Sequence, residues 1–384
     1  MKVLKFKGMN DILNNITNAL SSMNLWIAVA KSILIILVGF LFGKLKLLPQ
    51  ETDKTLNKVA LTITLPCLAF ASFMTEINQE TFMSCLFTFI YGFFIYILFI
   101  FVSKLLFLYE KNLDTRQTLE MLFVFGSTTF FAQPLIQAIY PQAYNDSSMF
   151  NIPFRVFLYS YCYYEMCIKK NYHEQNEGVL NDLDNNSNKV KPFKVFLKIF
   201  KNPIIIATFL GFIFWSLQLI GNDKDLNNWW VINQNGNIGA FWNIKISLPW
   251  FYETINTLGN LTSPLVWLSI GVTLGNVPFK DATFDKNVWI YSGYKLLLQP
   301  LVNIGLLLLI TLIPGVNVTT STLISTTLMW MVPPGAVVTS YAIISGKGAK
   351  IASSTTLIST IIAIILIPLY VIILSILAST GLFS

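Results

Sequence analysis

Two short stretches of the sequence set proline among small and hydroxylated residues, inside runs that are otherwise apolar. One is FGSTTFFAQPLIQAIYP, which holds Ser127, Thr128, Thr129, Gln133 and Pro134. The other is MWMVPPGAVVTSYAIISG, which holds Pro333, Pro334, Gly335, Thr339 and Ser340. Proline removes a backbone N–H and frees the carbonyl four residues back. With Gly, Ser, Thr or Gln beside it, a helix can unwind. The half-helix that follows presents unpaired N–H groups and the positive end of its dipole, which suits an anion such as a carboxylate. Two such breaks facing each other would make a polar pocket. At either site taken singly, the alternative is a plain kink with a hydroxyl bonded to the preceding turn.

Other reactive residues are sparse. Lys31 and Lys295 fall inside apolar runs, where an ionisable side chain either marks a coupling or gating site or snorkels to the interface. Arg155 reads as an anchor near a helix end. Glu120, Glu165 and Glu253 lie near predicted helix ends, so a carboxylate relay at mid-membrane is not evident and the coupling ion stays open. The four cysteines, Cys67, Cys85, Cys162 and Cys167, form no CxxC pair and read as small apolar residues. A single histidine, His173, excludes a histidine-rich metal site. HExxH, GxxxxGK[ST] and GxSxG patterns are absent, so neither a catalytic nor a bound-cofactor reading is supported.

These residues must be held by helices in a membrane. Hydrophobic residues make up 54% of the 384 and charged residues 12%, with a mean hydropathy of +0.61. Soluble domains carry about 25% charged residues. The net charge of +7 does not point to nucleic acid, because the charges form no continuous basic face. Apolar runs near the length of a bilayer span occur at 25–43, 57–74, 83–108, 118–139, 149–168, 203–220, 252–276, 287–313, 319–344 and 350–378. Alternate gaps between them collect Lys and Arg, among them Lys44, Lys46, Lys104, Lys111, Arg116, Lys169, Lys170, Lys347 and Lys350. The other gaps and the N-terminal segment hold only Lys2, Lys5, Lys7, Lys224 and Lys245. The positive-inside rule then places both termini outside a cell membrane.

Four regions follow. Residues 1–24 lack a signal-peptide core and read as an amphipathic segment on the membrane surface. Residues 25–168 hold five helices, 169–201 form a polar cytoplasmic linker, and 202–384 hold five more. An odd number per half inverts the second half, the plan of many secondary transporters. Proline-interrupted segments recur in register, at Pro66 and Pro264 in the second helix of each half and at Pro134 and Pro333–Pro334 in the fourth. The loop at 221–250 carries Trp229, Trp230, Trp242 and Trp250, and reads as an interfacial aromatic cover. GFLFG (Gly39, Gly43) and GVTLG (Gly271, Gly275) permit close helix packing, within one protomer or across a dimer.

The last two runs, PPGAVVTSYAIISGKGAKIASSTTLISTIIAIILIP, resemble the auxin efflux carrier family. That family shows a proline followed by small residues, a Gly-containing turn, an Ala/Ser-rich stretch, a Ser-Thr pair and a late proline. Here these fall at Pro334, Ala336, Gly346, Ala352, Ser353, Ser359, Thr360 and Pro368. LTITLPCLAFASF and SPLVWLSIGVTLG resemble the family's second and seventh helices. The resemblance implies an all-α polytopic membrane protein of ten transmembrane helices in a 5+5 inverted repeat, with broken fourth and ninth helices crossing beside the substrate. It also implies a scaffold of helices one, two, six and seven, a moving domain made of the others, and often a homodimer. One departure stands out. Where the family has N-x-G-[FY]-x-G-x-P, this chain has Ser127 for the Asn and Thr129 and Ala132 for the glycines. The expected function is alternating-access transport of a small organic anion, with proton or sodium coupling open. A bile-acid-symporter-like carrier or channel, and a non-transporting receptor or assembly factor, are the rivals.

Overall fold

The computed structural model describes residues 23–168 except 50, 76 and 78, then 203–218, 231–234, 237–276 and 285–383. Residues 1–22 of the 1–24 segment expected to be amphipathic, the whole 169–201 linker, and Trp229 and Trp230 lie outside them. Ten helical segments account for most of the rest. They are α1 (Met23–Lys44), α2 (52–72), α3 (Gln79–Leu106), α4a (Leu113–Val124) with α4b (128–139), α5 (144–168), α6 (Pro203–Leu217), α7 (Pro249–Asn276), α8 (Lys286–Thr311), α9a (Thr320–Trp330) with α9b (Ala336–Ser345), and α10 (Ala349–Ser379).

Among the described residues, five helices are long and apolar enough to cross a membrane: part of α2, and α3, α7, α8 and α10. The sequence led us to expect ten. The fourth and ninth fall short because each is cut in two: α4a has 12 residues, α9a 11 and α9b 10, each under the roughly 20 that a span needs. α5 is diluted by buried polar residues, among them Ser147, Asn151 and Arg155.

Local signals set the helix starts. The side chain of Asn112 caps α4a by accepting from the N–H groups of Asp114 and Thr115, Asp285 caps α8 through Asn287, and Thr319 caps α9a through Thr322. The Gly-Lys-Gly turn before α10 needs φ of +67° at Gly346 and +56° at Gly348, a region glycine enters without steric penalty.

Most prolines do not break their helices. In α2, α4b and α8 a π-turn ends two residues before the proline, at Thr64, Ala132 and Leu298, preceding Pro66, Pro134 and Pro300. The wider turn absorbs the missing N–H, and the helix continues. The carbonyl that Pro300 frees, on Leu296, accepts the Tyr370 hydroxyl at 2.7 Å. The interruption expected at Pro66 is therefore absent, whereas near Pro264 the helix does break for one residue at Leu261, between Pro249–Asn260 and Thr262–Asn276. The Pro66 and Pro264 segments meet where the Thr262 hydroxyl donates to that of Thr64 at 2.8 Å.

α1, α2, α6 and α7 pack on one another, and α3, α4, α5, α8, α9 and α10 share the largest buried cluster. α1 lies on α7 through the four glycines. A Cβ on Gly43 would sit 2.8 Å from the Val272 oxygen, and one on Gly275 2.6 Å from the Phe40 oxygen. One on Gly271 would collide with the Ile36 oxygen. These small-residue pairs are thus used inside one chain. Between α6 and α7, a hairpin (β1, Val231–Gln234; β2, Asn237–Ala240) leads to a short helical turn whose Ile244 packs with Phe73, Met74 and Trp215. Trp242 meets Phe214 edge-on, while Trp250 is exposed.

A buried acid escaped the sequence reading. Asp146, near the start of α5, accepts from Ser84 and Thr88 of α3 at 2.8 Å each. Thr322 of α9a lies 3.1 and 3.0 Å from those two hydroxyls. The carboxylate thereby ties α3, α5 and α9a at one end.

Replacing Gly271 by Val should cost about 1–3 kcal/mol or more by overpacking, lowering the unfolding temperature of purified protein. Gly305, whose Cβ would meet nothing within 4 Å, should accept Ala without loss.

Candidate functional site

The chain is broken at Phe125–Ser127 and at Met331–Gly335. Phe125 leaves helical geometry at φ −104°, ψ 91°, and Met331 at φ −78°, ψ 42°. The first break lies seven residues before Pro134, so the expectation that Pro134 makes it is corrected: Pro134 is absorbed by the π-turn within α4b. At the second break Pro333 and Pro334 do sit in the unwound segment.

The two breaks pair with each other. Gly126 and Pro334 form an isolated antiparallel bridge. The Ser127 N–H donates to the Pro333 carbonyl at 2.7 Å, and the Gly335 N–H donates to the Phe125 carbonyl at 3.0 Å. Backbone groups that water cannot reach are thus satisfied across the crossing. Approach is close enough to demand glycine. A Cβ on Gly126 would strike Val332 and lie 3.1 Å from Lys295 Nζ, and one on Gly335 would sit 3.0 Å from the Gly126 oxygen.

Two helices flank the crossing with polar residues at four-residue spacing, hence on one face. On α8 these are Tyr291, Lys295, Gln299 and Asn303. Tyr291 donates to the Leu122 carbonyl at 2.8 Å. Lys295 Nζ donates to the Phe123 carbonyl at 2.7 Å, and Gln299 Nε2 to the same oxygen at 3.1 Å. Asn303 accepts from Tyr91 and donates to Thr326 and Thr327 of α9a. Lys295 is fully buried, and its ammonium lies 5.7 Å from the Trp330 ring centre. It caps the carbonyl end of α4a, where the helix dipole favours a cation.

On α5 the residues are Asn151, Arg155 and Tyr159, and they face α4b. The Thr128 hydroxyl donates to Asn151 Oδ1 at 2.7 Å, and Arg155 Nη2 donates to the Thr129 hydroxyl at 3.0 Å. Arg155, which the sequence suggested as an interfacial anchor, is 3% exposed. Asn151 was missed, and Arg155 was noted only as an anchor. Their signal was legible as polar residues four apart in an apolar run.

Two cavities meet at Ser127 and Phe130. The larger, of about 240 Å³, is lined by Pro333, Pro334, Thr339 and Thr356, with Ser269 and Leu357. The smaller, of about 50 Å³, lies against Arg155, the Gly126–Thr129 segment and Gly335. Of the sequence candidates, Ser127, Thr128, Thr129, Pro333, Pro334, Gly335 and Thr339 line one or both. Gln133 is buried and reaches Ser148 at 3.4 Å, and Pro134 accepts from Ser263, so both lie away from the cavities. The side chain of Ser340 lies outside the described residues. Lys31 is exposed on α1 and lines neither cavity.

Crossed half-helices held between polar stripes suit passage of a solute rather than bond-making chemistry. The sequence profile of the membrane transport protein family matches residues 25–371. The chain belongs to that family, the auxin efflux carrier family, which comprises transporters rather than enzymes. It is a multi-pass membrane transporter, with a small-molecule substrate and the lipid bilayer as its partners. No curated protein matches the chain.

Removing both donors to the Phe123 carbonyl tests the cap. Lys295→Met and Gln299→Leu singly leave one donor each. The double variant leaves a buried carbonyl unsatisfied, at about 1–3 kcal/mol. A double-mutant cycle on unfolding in detergent should therefore show a loss larger than the sum of the singles.

Proposed function

We propose that this transporter is a secondary active carrier that moves a small organic anion across the cell membrane by alternating access. The observation that carries the reading is the crossing of the two breaks beside a cavity. First-turn amides of α4b and α9b lack helical acceptors, and the dipole of each half-helix begins there. Hydroxyls of Ser127, Thr339 and Thr356 add neutral donors.

In this reading the ten helices form a 5+5 inverted repeat with both termini outside and the 169–201 linker in the cytoplasm. α1, α2, α6 and α7 are the static frame, and the remaining helices carry the site past it. The larger cavity reaches Asn57, Thr273 and Ser353, near the ends of α2, α7 and α10. Those ends adjoin the lysine-rich gaps, which supports reading the larger cavity as the one that opens inward. Proton or sodium coupling and a homodimer belong to the same reading and are decided by experiment.

Reconstituted protein should take up organic acids saturably and show counterflow, measured with and without proton and sodium gradients. Flux that rises linearly without counterflow would identify a channel. Pro334→Ala should let the helix run through 331–335 and cut uptake about tenfold, equivalent to about 1.4 kcal/mol. Pro134→Ala, away from both cavities, should have a smaller effect at equal expression. Equal uptake in both variants would refute a site at the crossing.

A further inference from the structure

Arg155 is a buried cation with no counter-ion among the described residues. A guanidinium has five N–H donors, and here Nη2 donates to the neutral hydroxyl of Thr129, with Tyr159 lining the same cavity. Among the described residues no carboxylate pairs with it, and the ion pair between described side chains is Arg116–Glu120. Asp146 is on the same helix nine residues away, which is about 13 Å along the axis.

The surroundings make this vacancy of negative charge sharper. Thr129 sits in the first turn of α4b, the positive end of that half-helix, so the dipole repels a cation placed there. Lys295 offers the contrast, because it caps a carbonyl end. Arg155 also lines the smaller cavity, whose volume of about 50 Å³ exceeds what a single water needs and leaves room for a small polar group. Guanidinium and carboxylate pair through two parallel hydrogen bonds.

We propose that Arg155 is the anion subsite of the carrier. It holds the carboxylate of an amphipathic monocarboxylic acid in the small recess, beside the amides that open α4b. The acid's apolar body passes Ser127 and Phe130 into the larger cavity, against Ile270, Leu274 and Leu357. One fully buried guanidinium balances one negative charge, so monoanions with an apolar body are favoured over dianions. The transport role of this subsite rests on the carrier reading, while anion binding at Arg155 does not, and the tests separate the two.

Benzoate and hexanoate, their uncharged amides benzamide and hexanamide, and the dicarboxylate adipate serve as probes on the full-length chain in lipid nanodiscs. Calorimetric titration should give each monocarboxylate an affinity at least about tenfold above its amide, the scale of a charge-assisted pair, and above adipate. Arg155→Gln should bring the acid-to-amide ratio near one, and Arg155→Lys should keep part of it. A folded Arg155→Gln protein that keeps the preference overturns the assignment, as does a wild-type chain without it. Should Arg155→Gln not fold, Ser127→Cys, at the junction of the two cavities with Arg155 kept, in a chain lacking the four native cysteines gives a second readout. Its thiol should react with an anionic methanethiosulfonate reagent from water and be protected by benzoate. No reaction, while Thr339→Cys is labelled, overturns the subsite. Acid binding without uptake would keep the Arg155 subsite and sink the carrier reading. Uptake with an unchanged preference in Arg155→Gln would do the reverse.

Discussion

The exchange of two hydrogen bonds between Phe125–Ser127 and Pro333–Gly335 is the constraint on which the rest depends. A helix interrupted in an apolar medium exposes N–H and C=O groups that have no water to turn to. Each break here supplies what the other lacks. Neither half of the chain can open its helix alone, so the two five-helix sets are bound into one structure at the point where both are weakest. The glycines at 126 and 335 follow from the closeness of that pairing, and so does the position of the cavities on either side of it.

Around the crossing, side chains complete what the backbone leaves open, and their chemistry follows the sign of each half-helix end. α8 offers donors to the carbonyl end of α4a through Tyr291, Lys295 and Gln299. The same helix reaches α9a through Asn303. α5 serves the amide end of α4b with Asn151, a suitable acceptor, and with Arg155, which is of the wrong sign for that end. An unfavourable residue at a strained position is the kind of local inconsistency that function tends to impose.

Prolines and glycines divide the structural labour. A π-turn absorbs each of Pro66, Pro134 and Pro300 and keeps its helix continuous. The paired Pro333 and Pro334 instead lie within extended backbone. Gly39, Gly43, Gly271 and Gly275 let α1 and α7 touch along their backbones, which gives these two helices a tight seam. The outer face of α1, with Leu34, Leu37 and Leu41 exposed, is left to face lipid.

Hydropathy was enough to locate ten helical segments, of which five, among the described residues, are long and apolar enough to cross a membrane. The proline-rich repeats marked the fourth and ninth as special, because apolar length and helix breakers are local properties of the chain. The family was legible for the same reason, in the motif from Pro334 to Pro368. Register was not. The first break lies at Phe125–Ser127 rather than at Pro134, since a π-turn can hide a proline and only pairing with the other half fixes where unwinding occurs. Burial was not legible either. Arg155 read as an anchor near a helix end, Lys295 stood level with Lys31 as an ionisable residue in an apolar run, and Asp146 drew no reading. Tertiary packing decided which were enclosed, because the cost of burying a charge depends on the partners that other helices bring to it.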